Sequence, residues 1–326
     1  MIGGQAVMEG VMMKNLDKYA VAVRKPNKEI VVDVQDYVSF ADRYPILKLP
    51  ILRGIASFVE SLVIGMKTLT YSASFFEDEE EQKPSKMDHV FDKIFKGKTE
   101  DVIIGITVCF SIVMAIGLFM ILPYFLANLI KVWTDSNFLL SFVEGLVRIS
   151  LFLLYIIGIS QMGDIKRTFM YHGAEHKTIN CLEHGEELTP ENIRKHSRYH
   201  KRCGTSFLLI VMVISVIFFM FIQVEGTWMR LLVRLLLVPV IAGVSYEFIR
   251  LAGRSEHPVV QWLSKPGMAL QGLTTKEPDD EMLEVAIRSV EAVFDWREYI
   301  RALNQGEVEG CCPLKKTSSE RKERKE

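Results

Sequence analysis

Long apolar runs dominate the pattern of hydrophobic and polar residues along the chain. They extend from Val102 to Ile130, from Phe138 to Ser160, from Ser206 to Gln223 and from Trp228 to Ile249. Each is about as long as the roughly 17 to 25 residues that a helix needs to cross a hydrocarbon core of about 30 Å. Only VEGT separates the last two runs, a connection too short for long buried helices of a soluble enzyme. The pattern therefore predicts a mainly α, polytopic membrane protein with about four transmembrane helices in a lipid bilayer.

Shorter patterns predict the elements around these spans. The stretch YAVAVRKPNKEIVVDVQ places two β-branched runs around a Pro-Asn turn, which is typical of a β-hairpin. Between Pro45 and Ser74 the chain is apolar, but Arg53, Glu60 and Lys67 recur every seven residues and share one helical face. This spacing predicts an amphipathic helix that lies along the membrane surface.

Basic residues are distributed unevenly, although the net charge of the chain is only -1. The loop from Gln161 to Thr205 is rich in lysine and arginine, whereas the connections at 131–137 and 223–227 hold one lysine between them. By the positive-inside rule, the long loop and both termini are cytoplasmic in a multi-pass protein of the cell membrane. The basic C-terminal tail is interpreted as a solvating end, and no nucleic-acid partner is expected.

These patterns together predict the organisation of the whole chain. In order, we expect a cytoplasmic N-terminal β element at 1–44, an amphipathic interfacial helix at 45–75, a charged linker at 76–100, two transmembrane helices at 101–160, a cytoplasmic loop with a metal site at 161–205, two further transmembrane helices at 206–250, a cytoplasmic helical segment at 251–305 and a disordered tail at 306–326.

The stretch YHGAEHKTINC carries the candidate chemistry. Asp164 as N-cap and Gly185 as stop predict a single helix between them. His172 and His176, four positions apart, then project from the same face at roughly 6 Å from one another and can share one Zn²⁺ ion. Glu175, beside the second histidine, is placed to act as general base toward a water molecule. The order H-x-x-E-H is the inverted form of the H-E-x-x-H protease motif and is the inverzincin pattern.

A catalytic zinc site needs three protein ligands and an open position. The third ligand is expected from His200 or Cys203 at the start of the third span, or from Glu183 on the same helix. His200 and Cys203 are favoured because the second and third spans would hold the ends of the loop together. Thiols of a reducing cytoplasm do not form disulfides, so Cys203 is available as a ligand. Two alternatives stay open, namely ordinary surface histidines near phospholipid headgroups and a purely structural zinc that staples the loop.

Charged residues also occur inside the predicted spans. Glu144 and Arg148 lie four apart in the second span, and Arg230 and Arg234 lie four apart near the start of the fourth. Intramembrane charges are costly and are usually paired or functional. The set is therefore interpreted either as an ion pair with snorkelling arginines or as a pocket for an anionic lipid headgroup or substrate.

Several blocks of the sequence together resemble the bacterial YqhQ-like membrane proteins. They are GGQAVMEGVMM at 3–13, YHGAEHKTINC at 171–181, HKRCGTSF at 200–207 and LTTKEPDDEMLEVAI at 273–287. The resemblance implies that the family pattern includes His172, Glu175, His176, His200, Cys203, Gln5, Glu9 and the segment from Thr274 to Asp280. It also implies that the glycine-rich N-terminal block packs near the 171–207 region, with Glu9 as a further ligand or a hydrogen-bond acceptor of the site. The chain departs from the pattern at Lys201, where proline is expected.

The hypothesis that follows is a membrane-embedded, metal-dependent hydrolase. A divalent ion, with zinc expected, would be held at the cytoplasmic membrane surface, and the substrate would be a peptide or a lipid-linked ester that reaches the site from the bilayer. The alternatives are a non-enzymatic scaffold or regulator stapled by metal, and a transporter or lipid-binding protein that uses the intramembrane arginines. Four spans are few for a transporter unless the chain dimerises, so a homo-oligomer stays open.

Overall fold

The computed structural model describes residues 2–76, 99–132, 136–222, 226–253 and 257–305, together with the single positions 134, 224 and 255. Residues 77–98 of the predicted linker and the predicted tail at 306–326 lie outside the described residues. The strands are β1 (Gly3–Val7), β2 (Gly10–Asn15), β3 (Lys18–Arg24) and β4 (Ile30–Asp36). The helices are α1 (Phe40–Arg43), α2 (Leu52–Ala73), α3 (Thr99–Ile116), α4 (Leu122–Asn128), α5 (Asn137–Ile159), α6 (Gly163–Glu183), α7 (Pro190–Lys195), α8 (Gly204–Phe221), α9 (Thr227–Ala252), α10 (Pro258–Thr274), α11 (Asp280–Val293) and α12 (Trp296–Asn304).

The chain divides into two compact units, each of which is described by itself. The first, the sheet unit, comprises residues 1–76, 156–210 and 242–326 and contains all four strands. The second, the span unit, comprises residues 77–155 and 211–241.

Four helical segments of the described chain are long and apolar enough to cross a membrane. They are Gly105–Lys131, Asn137–Ile159, Gly204–Phe221 and Trp228–Ala252, and each overlaps one of the predicted runs. The first contains a π-helical turn at Gly117–Ile121, directly before the helix that carries Pro123. A proline has no backbone N–H to donate, so an interruption of the regular ladder at this point is expected. The predicted fold class is confirmed: the protein is mainly helical, with four candidate transmembrane helices and a small N-terminal β element.

The β element is larger than the predicted hairpin. β3 and β4 pair antiparallel, from Lys18 opposite Asp36 to Arg24 opposite Ile30, as the Pro-Asn turn predicts. β1 and β2 extend this hairpin to a four-stranded antiparallel sheet in the order β1-β2-β3-β4. The sequence pattern did not predict β1 because glycine and small residues in a strand leave little β signal.

Alternating side chains bury the central strands on both faces. Val11, Met13 and Ala22 belong to a core cluster that also holds residues of α6 and α11. Met12 and Val21 belong to a second cluster with residues of α2. Successive side chains of a strand point to opposite faces, so β2 and β3 separate two apolar layers. The sheet is therefore covered on both sides inside its own unit.

Helix α2 is amphipathic, but its polar face is turned toward protein. Arg53 binds the carboxylate of Glu247 in α9, with its Nε at 2.5 Å from Oε1. Glu60 is buried and accepts hydrogen bonds from the hydroxyl of Ser39 and the backbone N–H of Phe40. Lys67, the third residue of the heptad series, is exposed, and the exposed side of the helix is otherwise mostly apolar, with Leu62, Val63 and Met66 among its residues. Such a face suits a hydrocarbon surface, as the predicted interfacial role requires.

Helix α6 begins differently from the prediction. The predicted N-cap Asp164 is wrong, because Asp164 lies in the first turn and Met162 precedes the helix without a side-chain cap. The carboxylate is still favourable there since it lies at the positive end of the helix dipole. At the other end, Gly185 adopts a φ of +73°, the left-handed conformation that stops a helix, as predicted.

We expect Gly173→Ala in α6 to destabilise the protein strongly. A Cβ at this position would lie 2.0 Å from the carbonyl oxygen of Lys276, which crosses the helix. Backbone cannot move aside cheaply, so we expect a loss of about 3 kcal/mol or more in the free energy of unfolding. Gly163→Ala, on the same helix with no atom within 4 Å of its Cβ, is the matched control and should be neutral or stabilising. Thermal unfolding in detergent compares the two; equal midpoints would contradict the close approach.

Candidate metal centre

Three predicted ligands converge in the sheet unit. The ligand atoms of His172, His176 and Cys203 all lie within 4.8 Å of one another. The two imidazole rings are 4.3 Å apart, and the Sγ of Cys203 is 3.3 Å from the Nε2 of His172. Zinc–ligand distances are about 2.0 to 2.3 Å, so one ion between these atoms needs only small shifts. We call this set the proximal centre.

Backbone carbonyls fix which imidazole nitrogens face the centre. The Nδ1 of His172 lies 2.8 Å from the carbonyl oxygen of Thr274, and the Nδ1 of His176 lies 2.7 Å from that of Arg198. A carbonyl only accepts, so each Nδ1 carries the proton and each Nε2 presents a lone pair. Outer hydrogen bonds of this kind orient metal-binding histidines in proteins. Burial also lowers the pKa of His176, which keeps its imidazole neutral, against the opposing effect of the neighbouring Cys203 sulfur.

Polar groups beside the thiol suit a metal ligand. The backbone N–H of Thr205 donates to the Sγ of Cys203 at 3.4 Å, and the Thr205 hydroxyl lies 3.1 Å from the same atom. These contacts hold the sulfur in place beside the two imidazoles. Nitrogen and sulfur ligands at a buried position fit zinc better than they fit magnesium or calcium.

Glu175 lies beside the proximal centre without joining its ligand set. Its carboxyl is buried, and its Oε2 has no hydrogen-bond partner among the described residues. Burial raises the pKa of Glu175 to about 7, against a smaller opposing effect of His172. Gly4 of β1 packs directly on this side chain, since a Cβ there would lie 2.9 Å from its carboxyl atoms. The glycine in the N-terminal block therefore makes room for a buried acid.

His200 does not enter the ligand cluster, although its ring is 5.7 Å from that of His176. Its Nε2 lies 3.5 Å from the Oε2 of Glu183, which also accepts from Arg202. Burial would raise the pKa of Glu183, but the hydrogen bonds from His200 and Arg202 outweigh it and lower the pKa. Of the predicted third ligands, the geometry thus brings Cys203 next to His172 and His176 and places His200 with Glu183.

The N-terminal residues are divided between two sides of α6. Gln5 lines the cavity in front of the proximal centre and packs on Gly65 of α2. Glu9 instead binds Arg167, with oxygen–nitrogen distances of 2.5 Å, and lies 3.4 Å from the hydroxyl of Tyr171. It is therefore placed with α6, outside the group formed by His172, His176 and Cys203.

Sequence reasoning missed the residues that hold the 198–205 segment. The side chain of Gln271 accepts from the N–H of His200 at 2.9 Å and donates to its carbonyl at 2.8 Å. Asn180 donates to the carbonyls of Ser197 and Tyr199. The contacts of His172 and His176 with the carbonyls of Thr274 and Arg198 do not depend on the side chains of those two residues, so the sequence could not predict them. Only the presence of Thr274 in a shared sequence block pointed to this region.

A cavity of about 620 Å³ opens in front of the proximal centre. Its lining combines the centre and Glu175 with apolar side chains from β2, α2 and α6, including Met12, Ile64 and Ile179. A volume of this order suits a ligand of several hundred daltons.

The charged residues of the span unit form a separate, internally paired set. Glu144 accepts from Arg148 at 2.7 Å and from Arg234 at 2.5 Å, and all three side chains are buried. Arg148 also donates to the carbonyl of Phe119 at 2.8 Å. Arg230 lies 3.3 Å from the carbonyl of Val224. Of the two interpretations from sequence, these contacts match the ion pair.

We expect the metal-free protein to lose stability as the pH rises toward neutrality. The folded-state pKa of Glu175 is about 7, above its ordinary value of 4.5, so its contribution is fully present below pH 4.5 and is lost as the pH rises through 7. The loss is on the order of 3 kcal/mol. Unfolding of EDTA-treated wild type and Glu175→Gln across this range should give a difference in slope of this sign. Glu183→Gln is the control: the pKa of Glu183 is lowered, so its contribution changes only below pH 4.5, and the variant should keep the wild-type slope across this range.

Comparison with known proteins finds similarity over most of the chain. Residues 49–296 match the family described as "Protein of unknown function (DUF1385)". The "Uncharacterized protein YqhQ" of Bacillus subtilis (strain 168) is 34% identical over 298 residues, which are 88% of this chain and 90% of that protein. No solved structure matches the chain. The chain therefore belongs to the DUF1385 family of YqhQ-like proteins, as the sequence blocks predicted.

Proposed function

We propose that the protein is a membrane-embedded, metal-dependent hydrolase whose active site is the proximal centre. The observation that carries the proposal is the arrangement of two imidazoles and one thiol around a common point, beside a buried carboxyl oxygen of Glu175 that has no hydrogen-bond partner among the described residues. A divalent ion of the zinc type, when bound by His172, His176 and Cys203, supplies Lewis-acid activation of water and of a carbonyl.

Glu175 supplies the proton transfer. Its carboxylate takes a proton from the attacking water, and the resulting acid gives the proton to the leaving group. A side chain whose pKa lies near 7 can do both at neutral pH. Thr274 and Arg198 hold the imidazole rings through their carbonyls, so the ligands do not have to reorganise during a reaction.

The number of ligands favours catalysis over a structural role. A structural zinc site is closed by four protein ligands, whereas a catalytic site keeps one position for water or substrate. His200 would be the fourth ligand, but its Nε2 faces Glu183. This leaves three ligands and a cavity in front of them.

The cavity suits an amphiphilic substrate. Its apolar wall, which includes Met12 and Ile64, would hold a hydrocarbon or an apolar side chain while the scissile carbonyl lies at the proximal centre. A membrane-derived peptide and a lipid-linked ester both have this chemistry. In this proposal the four candidate spans cross the cell membrane, and the proximal centre and both termini are cytoplasmic, as the basic loop indicates.

A metal-stapled scaffold is the second candidate function. It is favoured by the contacts that join α6 to the segments around Arg198 and Thr274, because an ion would lock these segments together. In this case Glu175 would have no chemical role.

Glu175→Gln separates the two functions. In a hydrolase, the variant should keep about one ion at the proximal centre and lose turnover by roughly a factor of 100 to 10,000, since amide and acid differ only in proton transfer. His172→Ala and Cys203→Ala should lose both the ion and turnover. Elemental analysis, together with turnover of quenched fluorescent peptides and fluorogenic acyl esters, measures both effects. Wild-type turnover in Glu175→Gln would refute the proposed base.

Gly4→Ala, in strand β1, tests the placement of the Glu175 side chain on which Gly4 packs. The added methyl would meet the carboxyl group at 2.9 Å and push it from its position, so turnover should fall at least tenfold while the ion stays bound. Gly3→Ala, with nothing within 4 Å of its Cβ, is the neighbouring control and should retain turnover. Equal activities of the two variants would show that the position of Glu175 does not matter.

A further inference from the structure

A second group of ligand-type side chains lies at the far end of α6. Cys181 is in the last turn of this helix, and His184 and Glu186 flank Gly185, whose left-handed backbone reverses the chain. His196 follows α7 and brings the returning chain back to the same place. We call Cys181, His184, Glu186 and His196 the distal cluster. It begins about 7 Å further along the helix axis than His176.

The distal cluster has the spacing of a metal site. The Sγ of Cys181, a carboxylate oxygen of Glu186 and a ring nitrogen of His196 all lie within 4.8 Å of one another. His184 is adjacent, with its ring 5.0 Å from that of His196. Cys181, Glu186 and His196 therefore share one point, and His184 beside them offers a fourth side chain of a kind that binds zinc.

One atom of the cluster is buried and unsatisfied. The Nε2 of His196 is shielded from solvent and has no hydrogen-bond partner among the described residues, although a carboxylate oxygen of Glu186 is 3.3 Å away. The His196 side chain is only 10% exposed. Buried polar atoms are almost always paired with protein, water or an ion, so this nitrogen indicates a missing partner.

The neighbouring histidine presents a second lone pair. The Nδ1 of His184 lies 2.6 Å from the carbonyl oxygen of Asn180, so Nδ1 carries the proton and Nε2 is left as a potential ligand. The same arrangement orients both histidines of the proximal centre. The thiol of Cys181 makes only weak contacts, at 3.5 Å and 3.8 Å, with the carbonyls of Glu187 and Glu186.

We propose that Cys181, His184, Glu186 and His196 bind a second divalent ion of the zinc type. With His184 as the fourth protein ligand the coordination shell would be closed, which is the mark of a structural and not a catalytic site. Binding releases the thiol proton of Cys181 to solvent, and the thiolate sulfur becomes a ligand. The ion would fasten the end of α7 to the end of α6. His196 is two residues before Arg198, whose carbonyl orients His176, so the distal ion would also steady the proximal centre.

Metal counting on the full-length protein in detergent tests this proposal independently of any hydrolase activity. After removal of metal and dialysis against Zn²⁺ or Co²⁺, wild type should hold two ions per chain. Glu186→Gln and His184→Ala change exposed residues and should fold; each should hold one ion. Glu187→Gln, the neighbouring exposed acid outside the cluster, is the matched control and should hold two. Cys181→Ser should in addition lose one thiolate-to-cobalt charge-transfer contribution.

Comparison with His172→Ala distinguishes the two centres. That variant should lose one ion and keep the distal one, and the combination with Glu186→Gln should hold none. If Glu186→Gln, His184→Ala and Cys181→Ser all retain the wild-type ion content, the distal site is refuted. A single wild-type ion that is lost in His172→Ala also refutes it. A single ion lost in Cys181→Ser but kept in His172→Ala would instead support the distal site and refute the proximal one.

Discussion

The central constraint on the sheet unit is the burial of a polar helix. From Tyr171 to Leu182, α6 is buried at all positions but His172, which is half-buried, yet the stretch includes two histidines, a glutamate, a lysine and an asparagine. Buried polar groups without partners are costly, so neighbouring segments have to supply the partners. They come from far along the chain: Thr274 for His172, Arg198 for His176, and Ser197 and Tyr199 for Asn180. The polar helix thereby determines where the loops after α6 and α10 must lie.

The same constraint decides which parts of the site could be predicted. His172, Glu175 and His176 lie on one helix, so helical periodicity alone brings them together. The choice between His200 and Cys203 depends on how Gln271 and Glu183 hold the intervening turn, and those residues belong to contacts across 71 and 17 positions of sequence. Every residue has a backbone carbonyl, so hydrogen bonds to carbonyls cannot be predicted from the side chain of the accepting residue.

The fold shows a similar division. Hydropathy predicted the four spans because crossing a hydrocarbon core demands length and composition, which are readable from single segments. The heptad spacing of Arg53, Glu60 and Lys67 predicted that α2 is amphipathic, but not which of its faces packs on protein. Partners distant in sequence decide this, since Glu247 binds Arg53 and the 39–40 turn binds Glu60. Strand β1 was missed because its glycine serves the packing of Glu175, a tertiary requirement that local propensity does not contain.

In the span unit, the buried charges of Glu144, Arg148 and Arg234 also find their partners within the chain. Two arginines share the single carboxylate of Glu144, and Arg148 uses further donors on a backbone carbonyl and on Ser215. Against this background, the buried Oε2 of Glu175 and Nε2 of His196 differ, because neither has a hydrogen-bond partner among the described residues and each lies beside a cluster of nitrogen and sulfur ligands. In the two proposals above, a bound ion or water would partner these atoms. The polar helix α6 thus connects two places at which an external ligand would relieve the cost of its own burial.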